Sequence, residues 1–428
     1  MLTLYRIELR RSPLFTVFPL LLAVDIAVLF GRTRYWIGIW PEASVAAQVV
    51  TIFLAPLVAA VSAHEAGRSA RSRMPEVLLA AACPRWKVES VRLAATLTLA
   101  FVAYGVGAAT AAAVSYAEAG PGFLWPSYLL LGISTLTGYA AIGHFSGRFW
   151  PSPWFTPVVC ALGSFITLTA AGQSLGFVVL TGPPDVTMRP AAIALRLLLA
   201  FLLAVLAVCV PDIRGLLGNV RLQPISWKLR GATLTVVIAA LITIGGLPAA
   251  GEIRQARNPS AVQPICAQAE KSAPFVCIWP EHRKYLPQLM YMAKRLADIP
   301  QGWVKVPSGF YEAGLHPSSL GDIGFEITDG HVRSAAIAMA AEVSNLSFNQ
   351  CLPPDNAIRA WQASDSIDLW LEYRAMGVAP TVADKGLRIE GVSISQGAAR
   401  SIVVESEAKQ RAWTSQERAA LRKVGCSA

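Results

Sequence analysis

Charge is scarce in this sequence. Asp, Glu, Lys and Arg make up 15% of the 428 residues, 54% are hydrophobic, and mean hydropathy is +0.47. Ordinary soluble domains carry about 25% charged residues. Chemical motifs are scarce too. No GxxxxGK[ST] occurs, so the chain does not bind ATP through a P-loop. The string "AHEAG" at 63–67 begins like HExxH, but Arg68 stands where the second histidine belongs. There is no CxxC and no paired-histidine spacing, which argues against a zinc site. The 5 histidines are scattered and read as surface or capping residues. Nothing here argues for an enzyme or for a cofactor held by this chain.

The charge that is present is unevenly placed. Residues 1–250 hold 18 Lys and Arg against 9 Asp and Glu, whereas residues 251–428 hold 19 against 18. A nucleic-acid binder concentrates its positive excess on a soluble face. Here the excess lies in the apolar part, between long hydrophobic runs, so nucleic acid is not the expected partner and a lipid membrane is. The shift in composition at residue 251 marks two domains, 1–250 and 251–428.

A helix needs about 20 mostly apolar residues to cross a bilayer. Seven stretches qualify: 14–31, 44–64, 93–115, 124–146, 153–173, 191–211 and 231–250. The fifth is followed by apolar "SLGFVVLTG", which either extends the helix or forms a re-entrant turn. The first run has a basic n-region but no small-x-small cleavage site, so it reads as an uncleaved span. With the N-terminus inside, 14 basic residues fall in cytoplasmic segments and only Arg32, Arg34 and Arg189 in outer ones. An odd span count then places 251–428 outside the cell. There, cysteines read as disulfides, and the expected pairs are Cys266–Cys277 and Cys351–Cys426.

Three features inside the apolar part stand out. The N-terminal "MLTLYRIELRRSP" sets Leu2, Leu4, Tyr5 and Leu9 against Arg6, Arg10 and Arg11, as an amphipathic interfacial helix would. The loop "HEAGRSARSRMPEVLLAAACPRWKVESVR", 64–92, contains a short helix that starts at Pro75 with Glu76 near its positive end. Asp25 and Arg196 lie within spans, where charges usually pair or face water, so the two are expected to pair or to line one cavity. Gly105 and Ala109 form a small-xxx-small pattern suited to close helix packing.

An interfacial helix, two spans, a loop with an acidic residue followed by Pro-Glu-x-Leu-Leu and Pro-Arg, and then further spans: this order resembles the membrane subunit of type-2 ABC exporters. The residues that carry the resemblance are Glu65, Arg68, Pro75, Glu76, Leu78, Leu79, Pro84 and Arg85, and it covers roughly 1–250. It implies six spans rather than seven, and a loop that couples the bundle to a separate ATPase subunit, which holds the ATP. It also implies that the chain pairs with itself or with a second permease. The C-terminal part, with "VCIWPEH", resembles an uncharacterised extracytoplasmic domain fused to some bacterial permeases.

In that part, helices are expected over 281–298, 355–376 and 414–424, and strands over 275–279, 303–306, 323–327 and 387–394. The expected fold is an α-helical polytopic membrane bundle of six or seven spans followed by a soluble α+β domain. The expected location is a bacterial cell membrane, with the C-terminal domain extracytoplasmic. The expected function is the membrane subunit of an ATP-driven exporter; the alternative is a membrane-anchored sensor or binding protein.

Overall fold

A computed structural model describes residues 2–31, 34–71, 85–209, 227–249, 253–315, 324–328, 330–348, 358–377, 388–389, 392–393 and 396–424. The chain forms two compact units, Met1–Gln255 and Ala256–Ala428. The division falls slightly beyond the composition shift because 253–254 stay with the helical unit. The carbonyl of Ile253 accepts from Arg189 N at 2.8 Å, and Arg254 Nη1 donates to the Thr181 carbonyl at 3.3 Å.

The first unit is helical. Its elements are α1 (Leu2–Arg11), α2 (Pro13–Gly31), α3 (Trp40–Val49), α4 (Thr51–Arg71), α5 (Arg85–Ser115), α6 (Pro126–Phe149), α7 (Phe155–Ala170), α8 (Pro190–Cys209) and α9 (Trp227–Ala249). Five stretches are long and apolar enough to cross a membrane: Pro13–Gly31, Trp40–Arg68, Trp86–Ser115, Pro126–Phe149 and Pro190–Cys209. The Phe155–Ala170 helix is apolar but shorter, and Leu234–Leu247 is an apolar stretch within α9. The turn between α1 and α2 follows from Ser12 and Pro13: the Ser12 hydroxyl accepts from Leu14 N at 3.2 Å, while Pro13 has no N–H to satisfy. Within α1, Leu4, Tyr5 and Leu9 turn inward and Arg6, Arg10 and Arg11 outward, as expected; Glu8 joins the inward face and Leu2 is exposed.

After α7 the chain does not continue as helix. Segment 171–185 is irregular, yet Val178 and Val179 are buried. The "SLGFVVLTG" tail therefore does not extend the helix. Irregular backbone in an apolar bundle must find its hydrogen bonds within the protein. Gln48 Nε2 and Thr135 Oγ1 both donate to the Phe177 carbonyl, at 3.1 and 3.3 Å, and Gln48 Oε1 accepts from Val179 N at 3.1 Å. Glu42 Oε1 accepts from Gly182 N at 2.8 Å.

The second unit is α+β. Strand β3 (Ile265–Ala267) pairs antiparallel with β4 (Phe275–Ile278), which pairs in parallel with β5 (Gly309–Tyr311), whereas β1 (Val186–Met188), in the first unit, pairs with β2 (Arg254–Ala256) at the division. Around the three-stranded sheet lie α10 (Leu286–Ala297), α11 (Arg333–Phe348), α12 (Ile358–Met376), α13 (Gln396–Val403) and α14 (Glu407–Arg422). Trp279 and Trp370 are fully buried; Trp370 Nε1 donates to Gln410 Oε1 at 3.1 Å and its ring stacks on Trp303.

Several expected elements shift. The first helix begins at Leu286, because Pro280–Tyr285 forms a tighter 3-10 turn. No strand forms at 303–306; the pairing strand lies at 309–311. The expected strand at 323–327 is reduced, among its described residues, to the isolated bridge between Glu312 and Phe325. The expected strand at 387–394 is a hairpin of β6 (Arg388–Ile389) and β7 (Val392–Ser393). Helices α11 and α13 were not anticipated.

Cys266 and Cys277 face each other across β3 and β4 and are bonded. The expected Cys351–Cys426 pair lies outside the described residues. Closing a loop with a sequence separation of 11 stabilises the folded state by about 3 kcal/mol in the chain-entropy treatment. Peptide mapping without reduction is therefore expected to recover 266 and 277 in one linked fragment. Cys266→Ser is expected to speed hydrogen exchange in β3 and β4.

A second prediction concerns Asp368 on α12. Burial pushes its carboxyl from 3.8 up to about 6, a neighbouring carboxylate at Asp365 adds to the rise, and Oδ1 has no hydrogen-bond partner. The unfolded chain loses this proton near 3.8, so between about 4 and 6 the folded state holds more protons. Stability then falls as pH rises, and the loss is complete above about 6. Asp368→Asn is expected to flatten that dependence and to slow exchange of the α12 amides at pH 7.5, a gain of about 2–3 kcal/mol.

Candidate functional site

The helical unit gathers its buried charges at the end where α1, α4, α5 and α6 meet. Glu8 accepts from Arg68 Nη2 at 2.8 Å and from Arg92 Nε at 3.3 Å. Arg92 Nη1 also reaches Glu89 Oε1 at 3.3 Å, and the other oxygen of Glu89 meets His144 Nε2 at 3.1 Å. One turn along α4, Glu65 accepts from the Thr96 hydroxyl at 2.8 Å. Arg148 donates from Nη1 to the carbonyls of Ala207 and Val208, at 2.7 and 3.2 Å. Those carbonyls lie at the C-terminal end of α8, where a cation suits the negative end of the helix.

The network depends on close helix approach. Gly143 and Gly147 of α6 sit against the carbonyls of Ala59 and Ala63 on α4, and an added Cβ would come within 2.1 and 2.0 Å of those oxygens. Ser62 Oγ donates to the Ala140 carbonyl at 2.8 Å along the same seam. Small residues one turn apart are the general device for close contact between apolar helices. The pattern was expected at Gly105 and Ala109 instead. That pair faces outward: nothing lies within 4 Å of an added Cβ at Gly105, and Ala109 is exposed. The readable signal was GxxxG at 143–147, inside "AIGHFSG".

Of the loop residues, Glu65 is buried with Thr96 and Arg68 is paired with Glu8. Arg85 opens α5. Pro75, Glu76, Leu78, Leu79 and Pro84 lie outside the described residues. His144, expected at a surface or cap, is buried on Glu89, and His282 is buried on Glu312 in the second unit. Glu312 there also accepts from Trp279 N at 2.9 Å, so the pair fastens β4 to the strand crossing after it.

The expected pair between Asp25 and Arg196 does not form. Arg196 gives Nη1 to the Ala192 carbonyl at 2.8 Å and Nη2 to the Leu175 carbonyl at 2.7 Å, with its guanidinium 5.8 Å over the Phe177 ring. It is spent on holding the irregular 171–185 segment. Asp25 is fully buried against Gly107 on α5, and neither of its oxygens has a hydrogen-bond partner. Among the described residues, no group of three or more His, Cys, Asp or Glu side chains is placed to hold a metal ion.

Residues 276–424 match a family described as a domain of unknown function, DUF7224. The match covers most of the second unit and none of the helical one. No curated protein and no solved structure matches the chain.

The two glycine environments give a contrast. Gly143→Leu forces α4 and α6 apart and is expected to destabilise the bundle by an amount at or above the top of about 1–3 kcal/mol. Gly105→Leu, in open space, is expected to leave thermal stability in detergent within about 0.5 kcal/mol of the parent. Equal losses from both would show that the α4–α6 seam is not the tight contact described.

Proposed function

We propose that the chain is the membrane-spanning subunit of an ATP-driven exporter, similar to the type-2 ABC family, in which a separate cytoplasmic ATPase drives movement of the bundle. The observation that carries this reading is the charge network. Segment 72–84 joins α4 to α5, and both flanking helices are tied into one set of ion pairs with α1: Arg68 and Arg92 share Glu8, and Arg92 passes the connection to Glu89 and His144. A push on the segment between α4 and α5 therefore reaches α1 and α6 through short, partly buried contacts. Long flexible side chains in water do not transmit such a push. The residues Glu65, Arg68, Pro75, Glu76, Leu78, Leu79, Pro84 and Arg85 are the proposed ATPase-coupling set, with ATP bound on the partner chain.

The basic residues at this end support our reading of it as the cytoplasmic face of a bacterial cell membrane, by the positive-inside rule. The second unit then lies outside, which suits a bonded Cys266–Cys277 pair. Two membrane halves complete such an exporter, so the chain pairs with a second copy or with a second permease.

Affinity purification of the tagged chain in mild detergent from its native cell is the test. An ATP-binding subunit is expected to co-purify. Its retention is expected to fall at least tenfold on Glu76→Ala or Arg85→Ala, while Glu8→Gln keeps the partner bound but lowers its transport-linked ATP hydrolysis. A preparation that contains no ATPase at any detergent strength overturns the reading and leaves a membrane-anchored sensor or binding protein.

A further inference from the structure

The second unit carries an open cleft of about 360 Å³, formed where α10, α12 and α13 end. That volume lies at the small end of the range used for ligands, roughly 300–1,000 Å³. Two arginines enter it. Arg295, at the end of α10, gives Nη1 to the carbonyls of Ala375 and Met376, at 3.2 and 2.6 Å, which caps the C-terminal end of α12. Its Nε and Nη2 have no partner among the described residues. Arg374, one turn before the end of α12, has no hydrogen-bond or ion-pair partner among the described residues at all.

The rest of the lining favours an anion over a cation. The acid of the cleft, Asp298, is bonded by Lys294 Nζ at 2.8 Å and so does not claim either guanidinium. Gly377 follows α12 with φ +67, and an added Cβ would lie 2.2 Å from the Arg295 guanidinium. Glycine at 377 thus leaves the space in which Arg295 is seated. On the other side of the cleft, Val403 and Val404 present methyl groups, and Val404 is 66% exposed. An apolar side chain left in water beside two unfilled guanidinium edges describes a ligand with two parts.

We propose that this cleft binds a small amphipathic oxyanion: a carboxylate or phosphate monoester held by Arg295 and Arg374, with a short apolar chain against Val403 and Val404. A planar guanidinium offers paired donors that match two oxygens of such a group, which a lysine could not do. The shared chemistry is found in free solutes and in anionic lipid headgroups. The site stands apart from the exporter reading, since it uses none of the coupling residues.

The test uses the full chain in phosphatidylcholine nanodiscs, titrated calorimetrically with hexanoate, hexyl phosphate and, as a cation control, hexylammonium. Saturable binding is expected for at least one of the two oxyanions and not for the ammonium. Arg374→Gln, which removes no hydrogen bond or ion pair among the described residues, is expected to weaken binding at least tenfold with unchanged thermal unfolding, as losing a charge-assisted hydrogen-bonding group does. Lys409→Gln on the surface of α14 is expected to leave it unchanged. Repeating the titration in discs containing phosphatidylglycerol separates the sources: competition identifies a lipid headgroup, and undiminished binding a free solute. Failure of both oxyanions to saturate, or equal affinity in Arg374→Gln, overturns the proposal.

Discussion

A polar group that leaves water must find its partner inside the chain, and the helical unit is organised by that constraint. Lipid offers no donor or acceptor, and an unpaired backbone group or charge there costs several kcal/mol. The consequences run through the structure. Glu8 lies on an amphipathic helix and answers two arginines from two different spans. Glu89 answers an arginine with one oxygen and a histidine with the other. Gln48 uses both ends of its amide on a single irregular segment. Each of these side chains joins elements far apart in sequence, because the partner that water would have supplied had to come from elsewhere in the chain.

The same constraint explains why the irregular stretch after α7 is tolerated. Helix α7 is 16 residues long, which at about 1.5 Å per residue makes about 24 Å, less than a hydrocarbon core of about 30 Å. The helix stops short of that length, and the irregular segment that continues the chain exposes backbone groups. Glu42, Gln48, Thr135 and Arg196 meet them from α3, α6 and α8. Arg196 is therefore occupied as a fastener. A charge in a span pointed correctly to an unusual site, but the partner was a carbonyl and not the carboxylate in another span.

Much of the architecture was legible because it rests on composition. The change from apolar runs to mixed polarity placed the division between units to within a few residues. Of the seven apolar stretches expected as spans, five coincide with described helices of spanning length. Cys266 and Cys277 lie in a short polar stretch, and antiparallel pairing of the residues around them brought them face to face. What escaped the sequence had weaker local signals. Helix α11 is an alanine-rich run whose buried face, Ala336, Met339, Ala340 and Val343, recurs at helical spacing without large side chains to mark it. The strands of the second unit are two to four residues long, too short for alternation to show. The buried histidines could not be told from surface ones, since what distinguishes His144 is Glu89, 55 residues away.

Asp25 is the exception that sharpens the rule. Among the described residues, the other buried charges of the helical unit, Glu42, Glu65, Glu89, Arg92 and Arg196, each have a hydrogen-bond or ion-pair partner, while both oxygens of Asp25 have none. Its position is not an accident of loose packing. Gly107 lies opposite, and an added Cβ there would fall 2.2 Å from Oδ2, so the missing side chain on α5 is what admits the carboxyl on α2. Helices α2 and α5 are thus held at a distance set by a glycine and a carboxyl that nothing bonds. Helix α1 leads into α2 and is tied through Glu8 to α4 and α5, on either side of segment 72–84. The α2–α5 contact at Asp25 is close packing without a side-chain hydrogen bond, whereas the α4–α6 seam adds the bond from Ser62 to the Ala140 carbonyl to its glycine contacts.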